Sequence, residues 1–348
     1  MLTKLRLSNF RCFETLELTP SSGANYFLGP NASGKTSLLE ALCVLLRLQS
    51  PRSSSLQRCV RFEQTGFGLE GYHRETQMHF RYDTTGRKIT IDSVAQSRSD
   101  TYLSLARITW FSNDDLELVR GSSSGRRRYL DFLGAQLIPG YLKTLRAYER
   151  ALRSRNFLLK EGRSIREIAA YTEPLVEAGE ELRKYRDGLI PAIAPHFTVA
   201  AKEIGGKAEN IEMISTPGHQ GDFRTALQAA QNDEKRLRIT PVGPHRDDFQ
   251  LLIHGRNATD YASEGQQRTL ALALKLAQAR LLEAKSSTPP TLLLDDIFGE
   301  LDTSRRNRLL SILPTDSQKF ITTTAIDWHS PPSDAAIFHI EHGSIISR

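Results

Sequence analysis

The alternation of apolar and polar positions predicts two kinds of core near the start of the chain. Residues 4–18, KLRLSNFRCFETLEL, alternate with a period of two, which is typical of a hairpin with one buried face. Strand-like patterns return between Arg58 and Trp110, with a turn expected at Asp83 to Gly86. Short strands of this kind predict an antiparallel sheet that packs beside another core.

The middle of the chain is predicted to be helical, from Ile138 to about Ala194. Two runs with helical spacing are joined by NFLLKEGRS, as in an antiparallel hairpin, and Pro174 is expected to kink the second run or mark its first turn. Strands are predicted again at ENIEMIST and DDFQLLIHGRN. We interpret residues 116–235 as an inserted helical lobe, and 1–115 with 236–348 as one split lobe.

A glycine-rich stretch, GPNASGKTSLLEAL, joins a predicted strand, GANYFLG, to a predicted apolar helix. Its spacing, G-x-x-x-x-G-K-[ST], is that of a phosphate-binding loop, in which backbone N–H groups and a helix N-terminus hold phosphates. We expect Lys35 to reach the β and γ phosphates of ATP and Thr36 to offer its hydroxyl to Mg²⁺. The motif residues are Gly29, Pro30, Asn31, Ala32, Ser33, Gly34, Lys35, Thr36 and Ser37. A chance match to a glycine-rich turn is the alternative.

Two carboxylates follow a second apolar strand, in TLLLDDIFGELD. Asp295 at the end of that strand is expected to hold the magnesium ion, directly or through water. Asp296 is expected to orient or deprotonate the attacking water, and is therefore a catalytic candidate with Lys35. The alternative is that both aspartates only end a strand and cap a turn.

Composition adds little to this picture. The 348 residues are 39% hydrophobic and 25% charged, as in ordinary globular proteins. The net charge of +6 slightly favours anionic partners. Three cysteines suit neither a metal site nor a disulfide framework, which favours a cytoplasmic protein. No apolar run is long enough for a transmembrane helix, so no membrane partner is expected.

A third element, YASEGQQRTLALALKLAQARLLEA, places Ser263, Gly265 and Gln266 at the start of an amphipathic helix. Together with LLLDD downstream, it resembles the ABC-type ATPases. The resemblance implies that this signature loop contacts the γ-phosphate held by a second subunit, so that ATP joins a homodimer. An ordinary N-capped helix is the alternative.

Several further stretches together resemble the RecF family of bacterial recombination mediators. They are WFSNDDLELVRGSSSGRRRYLD, TPVGPHRDDF and YASEGQQRTLALALKLA, and ITTTAIDW near the end fits too. The stretch LSNFRCFE before the phosphate loop resembles the heads of the SMC and Rad50 group, and all of these matches are spread from about Leu5 to Trp328. The implied fold is α/β: an ABC-type P-loop ATPase head, with a parallel core sheet plus an antiparallel sheet, and an inserted helical lobe.

The resemblance also implies a function in recombinational repair, replication-fork maintenance and the SOS response. The expected protein dimerises on ATP at gapped DNA and hydrolyses ATP slowly, stimulated by DNA. It would act with RecR and RecO to load RecA onto gaps coated by single-strand-binding protein. DNA contact is expected to be through the backbone, and therefore sequence-tolerant and salt-sensitive.

Matched motif positions carry further roles from the resemblance. They are Asp302, with Glu300 and Leu301, in the loop that crosses the dimer interface; Thr324 at the position of a switch histidine; and Asn9 and Arg11 near the nucleotide. The sequence departs from the pattern at Ala32, where a glycine is common, and at Asp296, where a longer glutamate is common. It also has no identifiable glutamine in the loop that couples nucleotide to the helical lobe, and Asn113 or Asp114 in FSNDDLELV is the candidate for that role.

Two charged stretches have two interpretations each. Arg126, Arg127 and Arg128 form either a solvated charge run or a DNA phosphate contact. The motif GPHRDDF at 243–249 is interpreted as an ion-pair network at a domain junction in preference to a metal site.

Two other functions stay open from the sequence. An energy-coupling subunit of a transporter would associate with membranes. A repair nuclease with an ABC-type head would need an added cluster of acidic metal ligands, for which Asp247 and Asp248 are the candidates beyond Asp295 and Asp296.

Overall fold

The chain forms two compact units, which are described separately. The computed structural model describes residues 1–53, 55–206, 209–286, 288–326 and 331–346, so Asp327 and Trp328 of the ITTTAIDW stretch lie outside the described residues. The first unit comprises Met1–Asp115 and Gln278–Arg348, and the second comprises Leu116–Ala277.

The strands are β1 (Leu2–Phe10), β2 (Phe13–Leu18), β3 (Ala24–Leu28), β4 (Phe67–His73), β5 (Thr76–Asp83), β6 (Gly86–Ile91), β7 (Val94–Ala95), β8 (Ile108–Ser112), β9 (Ile211–Thr216), β10 (Asp248–Ile253), β11 (Arg256–Asn257), β12 (Thr291–Asp295), β13 (Lys319–Thr323), β14 (Ala336–Glu341) and β15 (Ser344–Ile346). The α-helices are α1 (Lys35–Arg47), α2 (Ser99–Ser104), α3 (Glu117–Arg120), α4 (Ser123–Leu137), α5 (Tyr141–Lys160), α6 (Ile165–Gly205), α7 (Phe223–Ala229), α8 (Gln231–Leu237), α9 (Ala258–Tyr261), α10 (Glu264–Ala284) and α11 (Thr303–Ile312).

The first unit contains two sheets. The antiparallel sheet has the order β2-β1-β4-β5-β6-β7, as the period-two pattern of residues 4–18 and 58–110 predicts. The other sheet has the order β15-β14-β3-β13-β12-β8 and is parallel except for β15. The predicted fold class, a parallel core sheet plus an antiparallel sheet, is therefore confirmed.

Helix α1 packs between these two sheets. It contacts β1, β4 and β5 of the antiparallel sheet and β8, β12 and β13 of the parallel one. This explains why residues 38–47 are apolar nearly all round, since a helix covered on every side has no polar face to present to water. Burial of α1 fixes its N-terminus, and with it the loop at 29–34.

The second unit is built on an antiparallel helix hairpin, α5 and α6, which packs with α4 and with a small sheet of order β11-β10-β9. Helix α6 begins at Ile165 behind a capping box formed by Ser164 and Glu167. It continues through Pro174, Pro191 and Pro195, so the prediction that Pro174 marks a first turn is wrong. Its long row of buried apolar residues keeps the helix continuous, although each proline removes one backbone donor.

The compact units divide where the sequence places its first boundary, at 115/116, but their second division falls at 277/278 instead of 235/236. The physical reason is that β10 pairs with β9, from Asp248 opposite Thr216 to Ile253 opposite Ile211. The strand thereby joins residues 236–277 to the helical part of the chain. None of the described helices combines the length and apolar character that a bilayer crossing requires.

Candidate nucleotide site

The predicted phosphate loop lies at the carboxyl edge of the parallel sheet. Strand β3 ends at Leu28 and leads directly into residues 29–34, while the neighbouring strands β13 and β12 end at Thr323 and Asp295. Asp295 lies opposite Thr322 and Ser112 in the register. Because all of these strands are parallel, their ends meet, and residues far apart in the sequence come together at one edge.

The loop backbone requires glycine at two positions. A Cβ on Gly29 would lie 2.2 Å from the carbonyl oxygen of Ile340 in β14, which is too close for any other residue. Gly34, which precedes α1, has a φ of 113° and faces Cys12 and Phe13. Ala32 also has a left-handed φ, of 65°, which explains why a glycine suits this position and costs an alanine about 1 kcal/mol.

The side chain of Lys35 folds back over the preceding loop, residues 29–34. Its Nζ donates to the carbonyl oxygens of Gly29 at 2.7 Å and Pro30 at 2.8 Å, and the side chain is buried. Burial lowers the pKa of Lys35, and the nearby carboxylates of Asp296 and Asp295 oppose that shift. The ammonium group is thus held at the inner face of the loop with charged partners on the neighbouring strand.

One carboxylate oxygen of Asp295 accepts two hydroxyl groups. Thr36 Oγ1 donates to Asp295 Oδ1 at 2.8 Å, and Thr322 Oγ1 donates to the same atom at 2.9 Å. Burial raises the pKa of Asp295, while these two hydrogen bonds lower it. Thr36 and Asp295 are therefore adjacent, as the sequence predicts, and Thr322 is a site residue that sequence reasoning missed.

Asp296 adopts a strained backbone conformation beside this pair. Its φ is 51°, its N–H donates to Thr322 Oγ1 at 2.9 Å, and its carbonyl oxygen accepts from Asn113 Nδ2 at 3.4 Å. Burial raises the pKa of Asp296, and the charge of Lys35 lowers it. Of the two coupling candidates, Asn113 makes this contact, and Asp114 is exposed.

The other loop residues differ in exposure. Pro30 and Asn31 are exposed, and Ser37 is half-buried in the first turn of α1. Ser33 is buried, and its Oγ has no hydrogen-bond partner among the described residues. A buried hydroxyl without a partner is costly and is one feature of this loop that a bound ligand would relieve.

The N-terminal candidates are engaged by the protein itself. Arg11 makes a bidentate pair with Glu40 of α1, with both N–O distances at 2.8 Å, and Glu40 is fully buried. Ser50 and Arg52 also contact Glu40, at 2.5 Å and 3.7 Å. Asn9 has a φ of 53° and accepts the Arg61 N–H through its carbonyl oxygen. A nucleotide contact by Arg11 would require it to exchange its carboxylate partner.

The signature loop belongs to the second unit. Ser263 caps α10: its Oγ accepts the N–H of Gln266 at 3.3 Å, and the Gln266 side chain accepts the N–H of Ser263 at 2.8 Å. Gln266 Nε2 also donates to Glu209. Ser263 is exposed and Gly265 half-buried, so the start of this helix presents backbone donors at the surface of its unit.

The two remaining motif residues of the first unit are exposed. Asp302 caps α11, accepting the Arg305 N–H at 2.9 Å, and Leu301 before it is buried. Thr324 follows the last residue of β13. Both lie in connections that leave strand ends of the parallel sheet.

Comparison with known proteins decides the family. A family model described as an AAA domain matches residues 4–189. The chain is 33% identical to the DNA replication and repair protein RecF of Lactobacillus johnsonii, over 100% of this chain and 99% of that protein. The chain belongs to the RecF family.

Solved structures agree with this assignment. A structure of the recombination mediator protein RecF-ATP in the RecFOR pathway superposes with a TM-score of 0.87 at 30% identity, covering 99% of this chain and 96% of that one. An SMC head bound to a ScpA winged-helix domain has a TM-score of 0.58 at 14% identity and shares the fold alone. The resemblance to the RecF family that the sequence motifs indicate is confirmed.

Within this RecF-family chain, two of the three arginines proposed to touch DNA are used internally. Arg126 makes a bidentate pair with Asp248, at 2.7 and 2.9 Å, and Arg127 donates to the carbonyl oxygen of Asp247 at 2.9 Å. Only Arg128 of the three is exposed. The surface-charge interpretation of this run therefore fails for Arg126 and Arg127, because their partners come from a distant part of the chain.

The GPHRDDF motif of this RecF-family chain forms a buried network inside the second unit. Arg186 joins Asp131 at 2.7 Å to Asp247 at 2.9 Å. His245 lies between the Tyr148 hydroxyl and the Thr240 carbonyl oxygen, at 2.6 and 2.9 Å, and burial lowers its pKa to about 4. The two ion pairs that Arg186 makes are the contacts that favour the ion-pair interpretation of this motif.

Proposed function

We propose that this RecF-family chain is an ATP-switched DNA-binding protein of recombinational repair and replication-fork maintenance. The observation that carries the proposal is the hydrogen bond from Thr36 to Asp295 beside Lys35, at the edge where the glycine loop enters α1. A hydroxyl and a carboxylate placed together after a phosphate loop are the groups that a nucleotide-bound cation requires. The related RecF structure, which contains ATP, supports the same ligand for this chain.

The residues of the site fit Mg²⁺ as well as ATP. Thr36 Oγ1 and Asp295 Oδ1 lie 2.8 Å apart, and hydroxyl and carboxylate oxygens are the hard ligands that Mg²⁺ prefers. When bound, the ion would neutralise charge that develops on the phosphates. Thr322 holds the Asp295 carboxylate in place through a second hydrogen bond to the same oxygen.

Lys35 and Asp296 have separate roles in the proposed slow hydrolysis. Lys35 Nζ would exchange the carbonyl oxygens of Gly29 and Pro30 for the β- and γ-phosphate oxygens. Asp296 would orient the attacking water and accept its proton, and its raised pKa makes it a stronger base. Its side chain is one methylene shorter than a glutamate, which supports a switch with slow turnover.

We infer that ATP joins two copies of the chain. The exposed start of α10, with Ser263, Gly265 and Gln266, would contact the γ-phosphate held by the other copy, because helix N-termini bind anions. Asp302 and Thr324 would lie beside that shared nucleotide. Lys35 of one copy and Ser263 of the other would then complete each site.

The partners follow from the family. We propose that the ATP-bound dimer binds gapped DNA through its backbone and, with RecR and RecO, helps to load RecA in the cytoplasm. The RecF relative of known structure is itself described as a recombination mediator of the RecFOR pathway.

The test is binding to a fluorescent gapped duplex with ATP, ADP or no nucleotide at 50 and 200 mM salt, the wild type beside Lys35→Ala. We expect tight binding with ATP only, weakened steeply by salt, and lost in Lys35→Ala. Binding that ignores the nucleotide, or no binding at all, would refute an ATP-switched clamp.

A further inference from the structure

Helix α5 (Tyr141–Lys160) has one buried face and one largely exposed face. The buried face consists of Tyr141, Tyr148, Ala151, Arg155 and Leu159. Arg155 on that face is paired with Glu234 at 2.6 Å and with Thr240 at 2.8 Å. This side of the helix is therefore fully occupied by contacts inside the second unit.

The opposite face of α5 presents a row of cations, which we call the α5 stripe: Lys143, Arg146, Arg150, Arg153 and Lys160. At about 100° per residue these five side chains fall within about 100° of arc, centred opposite the buried face. Arg146 is half-buried and the other four are exposed. Phe157, which is 60% exposed, lies in the same row before Lys160.

Four members of the stripe have no direct ion-pair partner among the described residues. Lys143, Arg150, Arg153 and Lys160 make no ion pair within 4 Å among the described residues. The carboxylates beside the row are Glu149 and Glu161, which are both exposed. Partial burial of the carboxyl group raises the pKa of Glu149, and the nearby charges of Arg153 and Arg146 oppose that shift. Like charges three and four residues apart repel each other on a helix, so the row costs stability in the free protein.

The row extends beyond the end of the helix. Arg163 in the connection to α6 and Arg166 in the first turn of α6 are both exposed. From Lys143 to Lys160 the helix rises about 25 Å, and the connection adds further positive charge at its end. A straight row of one sign and of this length matches a charged polymer better than it matches a compact anion.

We propose that the α5 stripe binds the phosphate backbone of DNA, an inference that rests on the proposed DNA-binding function. Long, exposed Arg and Lys side chains in a row are the groups that neutralise phosphates and release their counterions. A protein partner would need an apolar centre ringed by polar groups, and the row offers only Phe157. The stripe also supplies a phosphate contact that Arg126 and Arg127 cannot make while they hold Asp248 and Asp247.

The test compares three matched double variants of the full chain with the wild type. Arg150→Gln/Arg153→Gln removes two charges of the stripe, and Arg150→Lys/Arg153→Lys keeps them. Lys202→Gln/Lys235→Gln removes two exposed charges of the second unit that lie outside the stripe. Each is titrated with the fluorescent gapped duplex under saturating ATP between 50 and 200 mM salt, after thermal unfolding and ATP titration confirm folding and nucleotide binding.

We expect Arg150→Gln/Arg153→Gln to bind roughly tenfold more weakly at low salt, and its log–log salt slope to fall by about 1.8, or about 0.9 for each lost contact. The lysine variant should retain most of the affinity and the slope, and the control pair should match the wild type. Equal affinity and slope in the stripe variant would overturn the stripe proposal alone and point to another partner for that face. A wild type that binds no DNA would overturn the proposed function and the stripe proposal together.

Discussion

At the scale of single residues, the site depends on one oxygen atom. Asp295 Oδ1 accepts hydroxyls from Thr36 and Thr322, and burial leaves this carboxylate with a raised pKa. An ionised group that is poorly solvated in the folded state destabilises the fold, and such groups are kept where function needs them. The ionised Asp295 should therefore lower the free energy of unfolding, and the same carboxylate can serve as a ligand for a cation.

We predict that Asp295→Asn stabilises the protein while it abolishes ATP hydrolysis. The amide oxygen still accepts both hydroxyls, and the buried charge is gone, so unfolding should require about 1 kcal/mol more at neutral pH. The pKa of Asp295 in the folded state lies above the unfolded value of about 3.9, so the ionised carboxylate lowers the free energy of unfolding of the wild type at pH values above the folded-state pKa. The advantage should shrink as pH falls toward about 3.9, where the carboxyl group is neutral in both states.

Urea unfolding of both proteins at several pH values measures this difference. Asp83→Asn is the control, since hydrogen bonds from Thr85 lower the pKa of this half-buried carboxylate, which is the opposite direction. A variant that is less stable than the wild type at neutral pH would contradict the account of Asp295.

Residue roles were predictable where a local motif carries them. The spacing from Gly29 to Thr36 specifies the phosphate loop, and Asp295 follows from an apolar strand that ends in a carboxylate. Thr322 was not predictable, because its role arises from strand register, which places it opposite Asp295. Nor were the partners of Arg126 and Arg127, since an ion pair or a hydrogen bond across more than a hundred residues leaves no local signal.

At the scale of elements, the period of the apolar positions along the chain was what predicted the helices and strands. The hairpin of β1 and β2 alternates over most of its length because one face is buried, and α1 is apolar nearly all round because two sheets cover it. Helix α6 is longer than the sequence predicted, because packing against α5 stabilises it by more than its three prolines destabilise it. The second division of the chain was misplaced because the β9–β10 pairing is not local.

The turn from β3 into α1 gives an element-scale prediction. Gly29→Ala should weaken ATP binding at least tenfold and destabilise the fold by about 1–3 kcal/mol, because its Cβ would lie 2.2 Å from the Ile340 carbonyl oxygen and force the loop away from β14. Gly125→Ala is the control, since a Cβ there meets nothing within 4 Å. Fluorescent nucleotide titration and urea unfolding measure both effects, and unchanged ATP affinity in Gly29→Ala would contradict the assigned loop.

At the scale of the whole molecule, the proposed switch requires two copies of the chain. Lys35 and Ser263 would serve the same nucleotide from different copies, so each alone is insufficient. Lys35→Ala should lose ATP binding, whereas Ser263→Arg should keep it and lose ATP-dependent dimers. Asp222→Ala, which removes a comparable helix cap at α7, controls for the loss of the Ser263 cap.

The most direct test of this central claim is to mix the two defective variants. Light scattering would measure dimers with ATP for Lys35→Ala alone, Ser263→Arg alone and an equimolar mixture. A mixed pair has one intact site, formed by Lys35 of one copy and Ser263 of the other, so the account predicts that ATP restores dimers only in the mixture. Dimers in either variant alone, or none in the mixture while Ser263→Arg still binds ATP, would contradict a nucleotide shared between two copies.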